Sequence, residues 1–293
     1  MPLSALALLL VAAVLHAGWN LLVKSAAEKQ IFIWLAWVVG SVCYTPLLAL
    51  TPALPRAAWP YVLAAGLAQA AYTLTLSRAY RIGDFSLVYP LARGAAPALL
   101  ALWAALFLGE RPSLAGLIGL ALLLLGLLVV GGAFGRRPAG PARPQAPAPA
   151  GPSRSAVTAA LGVALCISVY SAIDGAAVQI AAPITYTVFE FIASALLMAP
   201  LMLRRYRPGA IVREWRANWR RITLVGLLMM LAYGLVLLAY SRGHVSYAGA
   251  IREVSVVFAA LIGWRWLGEG FGRARLAGAL LIFAGILAIA LAG

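Results

Sequence analysis

Two stretches decide how this chain is read: YAGAIREVSVVFAALIGWRWLGE at 247–269 and YPLARGAAPALLALWAALFLGE at 89–110. Each is apolar for about the 20 residues that cross a bilayer as a helix, and each closes on Leu-Gly-Glu. Arg93 stands in the second where Arg252 stands in the first, and Glu253 follows Arg252. A charge at bilayer depth costs roughly 2.5 to 3.5 kcal/mol on insertion scales, so such residues need a partner or a purpose.

The rest of the chain is equally apolar. Of 293 residues, 64% are hydrophobic and 11% charged, with a mean hydropathy of +0.95. A soluble domain carries about 25% charged residues. Apolar runs predict ten spans, at 3–23, 31–50, 60–80, 86–108, 113–134, 155–179, 184–203, 222–241, 245–267 and 272–292. The first has no basic leader and carries His16, Asn20 and Lys24, so it is read as a retained helix rather than a signal peptide. Between the fifth and sixth spans, residues 135–154 (GRRPAGPARPQAPAPAGPSR) are Pro, Gly, Ala and Arg with little that packs, and are read as a linker. The domain reading is therefore a first unit at 1–134, the linker, and a second unit at 155–293.

Sliding the second unit onto the first exposes a repeat. At an offset of 159, Arg93 meets Arg252, Leu108-Gly109-Glu110 meets Leu267-Gly268-Glu269, and Gly119 and Gly126 meet Gly278 and Gly285. At an offset of 154, His16 meets Tyr170, Asn20 meets Asp174 and Pro46 meets Pro200. Tyr72 pairs with Tyr233 after one small gap. Five helices is an odd number, so the second unit enters the membrane from the opposite side. The fold class expected is an all-α integral membrane protein, ten transmembrane helices forming two five-helix repeats of inverted topology.

The net charge of +15 has a topological explanation. Of the 23 basic residues, 18 fall on the side of the 1–2, 3–4, 5–6, 7–8 and 9–10 connections, and only Arg56, Arg111 and Arg242 fall opposite. The positive-inside rule makes the crowded side cytoplasmic and puts both termini outside. The 7–8 connection, with Arg204, Arg205, Arg207, Arg213, Arg216, Arg220 and Arg221, is expected to lie on anionic headgroups. Membrane lipids, rather than nucleic acid, are the expected partners of these arginines. Cys43 and Cys166 lie inside spans with no CxxC pair, and His16 and His244 have no metal-ligand spacing, so no metal and no cofactor are expected. The sequence holds no GxSxG, no HExxH and no pair of like helical aspartates, which speaks against an enzyme.

The ten-span layout, the HAGWN run at His16–Asn20, and LGE closing the fourth and ninth spans resemble the drug/metabolite transporter superfamily, and within it the EamA-type transporters. That resemblance covers nearly all of the chain outside the linker. It implies a secondary transporter with a central cavity lined mainly by helices 1, 3, 4, 6, 8 and 9, acting on a small-molecule substrate in the plasma membrane. Many members of that family hold both termini in the cytoplasm, whereas the charge count here places them outside.

Five ionisable groups lie well within spans: Arg93, Asp174, Glu190, Arg252 and Glu253. Facing lipid, they would cost on the order of 12 to 17 kcal/mol, so they are expected inside the bundle. Arg93 and Arg252 are the leading candidates for substrate contact, since a guanidinium fork matches carboxylate or phosphate. The competing reading pairs Arg252 with Glu190 or Asp174 and gives Arg93 the remaining carboxylate. Tyr89 with Arg93, His16 with Asn20, and Tyr170 with Asp174 share helix faces at i, i+4 and suit a wet cavity wall, with Tyr72 and Tyr233 beside them. His16 as a satisfied buried histidine and Asn20 as a bridge between helices stay open beside that role. Asp174, Glu253 and Glu190 are candidates for proton coupling or for salt bridges, because loss of hydration disfavours a carboxylate charge. Glu110 and Glu269 are read as caps of the helices that follow them. The function expected is transport by alternating access of a small polar metabolite, anionic or zwitterionic solutes being favoured. A lipid-handling or accessory protein and an exporter of organic cations stand as alternatives, and a homodimer is compatible with any of them.

Overall fold

The computed structural model describes residues 1–24, 26, 28–82, 85–130, 154–255, 257–258 and 273–292. The linker residues 135–153, Gly83, Asp84, Trp264, Arg265, Trp266, Glu269 and the side chain of Tyr89 lie outside the described residues. The described elements are helical throughout: α1 (Leu3–Lys24), α2 (Lys29–Tyr44), a 3₁₀ continuation (Thr45–Leu50), α3 (Trp59–Ile82), α4 (Phe85–Phe107), α5 (Leu114–Val130), α6 (Arg154–Ala177), α7 (Pro183–Arg205), α8 (Pro208–Tyr240), α9 (Val245–Arg252) and α10 (Arg273–Ala292). Helix is the expected outcome for such sequence, because every backbone donor and acceptor is then satisfied within its own segment. Pro183 and Pro208 open α7 and α8, at the position where a missing N–H costs nothing.

By length and composition, Leu3–Val23, Lys29–Ala49, Arg154–Ala177, Pro183–Arg205 and Pro208–Tyr240 are each able to cross a membrane. Leu91–Phe107, Leu114–Val129 and Leu276–Ile289 are shorter apolar helices. Large apolar side chains face outward along these helices, among them Leu63, Leu67, Leu106, Phe107, Leu196 and Phe283. In water such a surface would aggregate; against lipid it is the expected boundary.

The packing repeats itself when the halves are exchanged. The contact of α3 with α6 corresponds to that of α8 with α1, α4 with α6 to α9 with α1, and α3 with α7 to α8 with α2. The contacts of α5 with α10 and of α2 with α7 map onto themselves. At the first of these, glycine lets two backbones touch: a Cβ on Gly126 would meet the Gly278 carbonyl oxygen at 2.6 Å, and one on Gly285 would meet that of Gly119 at 2.6 Å. Contacts that advance along α5 while retreating along α10 make the two helices antiparallel.

Three sequence expectations change here. The arginine-rich 204–221 segment is largely not a loop: α8 starts at Pro208 and runs 33 residues. At 1.5 Å per residue that is about 50 Å, longer than the roughly 30 Å of hydrocarbon, so its first turns project beyond the apolar zone. Arg213, Arg216, Arg220 and Arg221 therefore ride on a helix. The predicted span 245–267 does not continue as one regular helix either. The α-helical ladder of α9 ends at Arg252, where the Glu253 and Val254 N–H groups donate to Ala250 and Ile251, three residues back. The third change concerns Glu110, which does cap a helix, but not α5. Gly109, at φ 67°, closes α4 in the left-handed region that glycine tolerates, and the Glu110 N–H reaches back to Ala104 at 3.1 Å. That turn throws the Glu110 carboxylate onto the N-terminus of α9, where it accepts from the backbone N–H groups of Val245 and Ser246 and from the Ser246 hydroxyl. Leu108-Gly109-Glu110 is thus a stop for its own helix and a cap for a helix of the other half.

Candidate functional site

Arg93 comes from α4 and Arg252 from the end of α9, and both close on one carboxylate. Arg93 Nη1 donates to Glu253 Oε2 at 2.7 Å, and Arg252 donates through Nε and Nη2 to Glu253 Oε1, each at 3.3 Å. Glu253 is fully buried, while the Arg93 side chain keeps 13% of its surface accessible. The competing pairing of Arg252 with Glu190 or Asp174 is not what forms. The Arg252 side chain turns instead to the carboxylate of its sequence neighbour and to Ser171 on α6. Two guanidinium groups around one carboxylate leave the cluster with one net positive charge.

His16, on α1, accepts at Nε2 from Arg93 Nη2 at 3.1 Å, since guanidinium has only donors, and its ring meets Trp19 edge-on at 4.6 Å. Asn20 donates from Nδ2 to the His16 carbonyl at 2.7 Å, so it turns back on its own helix instead of bridging to a neighbour. Tyr89 Cα lies one turn before Arg93 on α4. Trp103 donates to Ser168 at 2.9 Å and ties α4 to α6.

A second polar cluster lies on α6, α7 and α8. Asp174 is fully buried and receives two tyrosine hydroxyls, Tyr186 at 2.8 Å on Oδ1 and Tyr233 on Oδ2. Glu190, also fully buried, receives Gln69 Nε2 from α3 on Oε1 at 3.1 Å. Every partner in this cluster is neutral. The two clusters meet along α6, where Arg252 Nη2 reaches Ser171 at 3.5 Å, one helical turn before Asp174. Aromatic rings fill the interval: Tyr72 lies 6.1 Å from Tyr170, and Tyr170 lies 6.4 Å from Tyr233, in tilted or edge-on arrangements. An open cavity of about 550 Å³ adjoins this region at one end of the bundle, lined by Glu110, Gly175, Gln179, Tyr240 and His244 among others.

Of the residues singled out in the sequence, Arg93, Arg252, Glu253 and His16 come together in one contact network, and Tyr170, Tyr233, Asp174 and Tyr72 in the adjoining one. Glu190 joins Asp174's surroundings from α7, a helix expected at the periphery. Gln69, Tyr186 and Ser171 were missed. Tyr186 was within reach of the rule applied elsewhere, since it precedes Glu190 by four residues, and Gln69 is an amide in mid-span, where polar groups seek partners. Ser171 carries no such signal.

A helical bundle of two like halves, with a buried polar interior, matches known proteins at the family level. The EamA-like transporter family model fits residues 3–132 and again residues 154–291. The chain belongs to the EamA-like transporter family. An EamA-like protein is a membrane-embedded transporter of the drug/metabolite type, and the two fitted segments are its two repeats. No curated protein matches the sequence. Among solved structures, a crystal structure described only as that of a protein superposes with a TM-score of 0.78 over 99% of this chain and 98% of its own, at 20% identity. At that identity the likeness speaks for the fold.

Proposed function

We propose that this EamA-like protein is a secondary transporter that moves a small solute bearing an anionic group by alternating access. Ten spans of inverted topology in the plasma membrane, both termini outside, form its frame. The observation that carries this reading is the sharing of Glu253 by Arg93 and Arg252. An incoming carboxylate or phosphate competes with Glu253 for one guanidinium, so binding and rearrangement of α9 become the same event. Support for the frame comes from the antiparallel crossing of α5 with its repeat counterpart α10, since a two-fold axis relating such helices is perpendicular to both. The tightened turn at Glu253 is the kind of helix interruption that lines transporter sites. Asp174, one turn from the Arg252 contact, favours a zwitterion within that class, its ammonium facing the acid and its anionic group the arginines.

The test is a thermal-shift panel on purified protein, followed by uptake into reconstituted vesicles. Amino acids, organic acids, phosphorylated compounds, organic cations and lipids form the panel, because bound substrate stabilises by mass action. Arg93→Ala and Arg252→Ala are each expected to weaken binding on the order of tenfold to a hundredfold, the value of a charged hydrogen bond, with the fold retained. Normal transport by either variant removes the arginine-centred site. Stabilisation by organic cations alone turns the reading to cation export, and response to lipids alone turns it to the lipid-handling reading.

A further inference from the structure

We infer that Glu190, paired with Asp174, is a proton-binding site separate from the arginine cluster. One face of α7 carries Tyr186, Glu190 and Ser194 at successive turns, with exposures of 0%, 0% and 2%. A buried polar stripe is costly unless each group is satisfied. Tyr186 is satisfied through Asp174. Among the described residues, however, Glu190 Oε2 and Ser194 Oγ have no hydrogen-bond partner. Side chains one turn apart on a helix are about 5 to 6 Å apart at Cβ, a gap that a carboxyl proton and a bridging water molecule can span.

The surroundings discriminate between ligands. The ionisable groups facing Glu190 are Asp174 from α6, Tyr186 from its own helix and Tyr233 from α8, with Arg252 reaching Asp174 from α9. Helix α3 contributes the Gln69 amide, and α2 packs Trp37 against the adjacent Phe191. Gln69 points an N–H at Glu190, and both tyrosines point O–H groups at Asp174. Hydrogens directed inward oppose a metal cation, which needs about six oxygen lone pairs. Glu190 Oε2, the one carboxylate oxygen of the pair that they leave free, can accept a proton. Uptake forms an O–H bond on Glu190 Oε2 at the expense of a hydronium ion, breaks no bond in the protein, and leaves the pair with one negative charge in place of two. The consequence for transport, that this charge change biases the packing of α3, α7 and α8, rests on the transporter reading; the site itself does not.

The experiment therefore needs no solute. Infrared difference spectra of the wild-type protein in lipid, recorded across a pH titration, are expected to show the carbonyl stretch of a protonated carboxylic acid rising on acidification. That band is expected to vanish in Glu190→Gln, to persist at a shifted frequency in Glu190→Asp, and to titrate at a displaced midpoint in Asp174→Asn. A wild-type spectrum without a titrating acid band, or a band unchanged in Glu190→Gln, overturns the proposal. Should Glu190→Gln not fold, Glu190→Asp decides, and an unshifted band overturns it. Failure of the solute panel, by contrast, leaves these spectra as they are.

Discussion

The two repeats share a frame and differ in charge. Their largest helix contacts between the halves exchange, Gly126 and Gly285 make equivalent close approaches, and Arg93 answers Arg252. Among the described residues, the three fully buried acids all belong to the second repeat, though: Asp174 stands opposite Asn20, Glu190 opposite Ala36 and Glu253 opposite Gly94. Packing is set by volume and backbone approach, which the two-fold repeat duplicates. Buried charge is set by partners, and a two-fold copy of each acid would double a cost that one copy already makes considerable. The frame is therefore free to stay symmetric while its chemistry is not.

The comparison is most exposed at Glu253. Removing it in Glu253→Gln leaves two interior arginines sharing no carboxylate, and a stranded buried charge costs about 3 to 5 kcal/mol. We expect the lowest thermal unfolding midpoint of the set for this variant, well below Arg93→Ala, in which Glu253 keeps Arg252. A midpoint equal to that of Arg93→Ala would mean that the acid's placement in one repeat is incidental. The symmetric side is probed next by Gly126→Ala and Gly285→Ala. Each new methyl meets a backbone oxygen at 2.6 Å, which cannot swing aside, so each is expected to lose about 1 to 3 kcal/mol. Equal losses in detergent unfolding support the two-fold frame, and a large inequality breaks it.

A smaller effect sharpens the chemical asymmetry. Tyr233→Phe withdraws one of Asp174's two hydroxyl donors and is expected to cost about 1 to 2 kcal/mol, whereas Tyr72→Phe, at the repeat-equivalent position, is expected to cost under about 1 kcal/mol. Their order in unfolding midpoint is the measurement, and a reversed order would place the aspartate's support elsewhere. The smallest change is Gly18→Ala. Nothing lies within 4 Å of the added methyl, so helix propensity alone acts, a gain of at most about 1 kcal/mol. A marked loss there would show that α1 packs more tightly at His16–Asn20 than the structure has it.

Much of this was legible in the sequence. Spans of about 20 apolar residues, the repeat and the presence of charge inside the bundle all follow from rules that act within one helix or between aligned positions. The arginines as a pair followed too. Less legible was where each charge would go. Glu190 and Asp174 were open as partners for Arg252, yet the neighbouring carboxylate of Glu253 takes that place, and Asp174 and Glu190 receive neutral donors. Gln69 and Tyr186 escaped notice because a neutral donor inside a span leaves little trace in composition. The arginines of α8 read as a loop, because charge density hides a helix whose first turns lie outside the apolar zone.

What the sequence determined by itself is a helical membrane protein built twice, since hydropathy and repetition are properties of residues along the chain. Tertiary structure alone decided the partners: Glu253 held between Arg93 and Arg252, Glu110 capping a helix of the other half, and Glu190 facing Gln69. The physical reason is range. Burial free energy adds up residue by residue, whereas a hydrogen bond or ion pair depends on angstrom-scale approach between segments far apart in sequence, and that is set only when the helices pack.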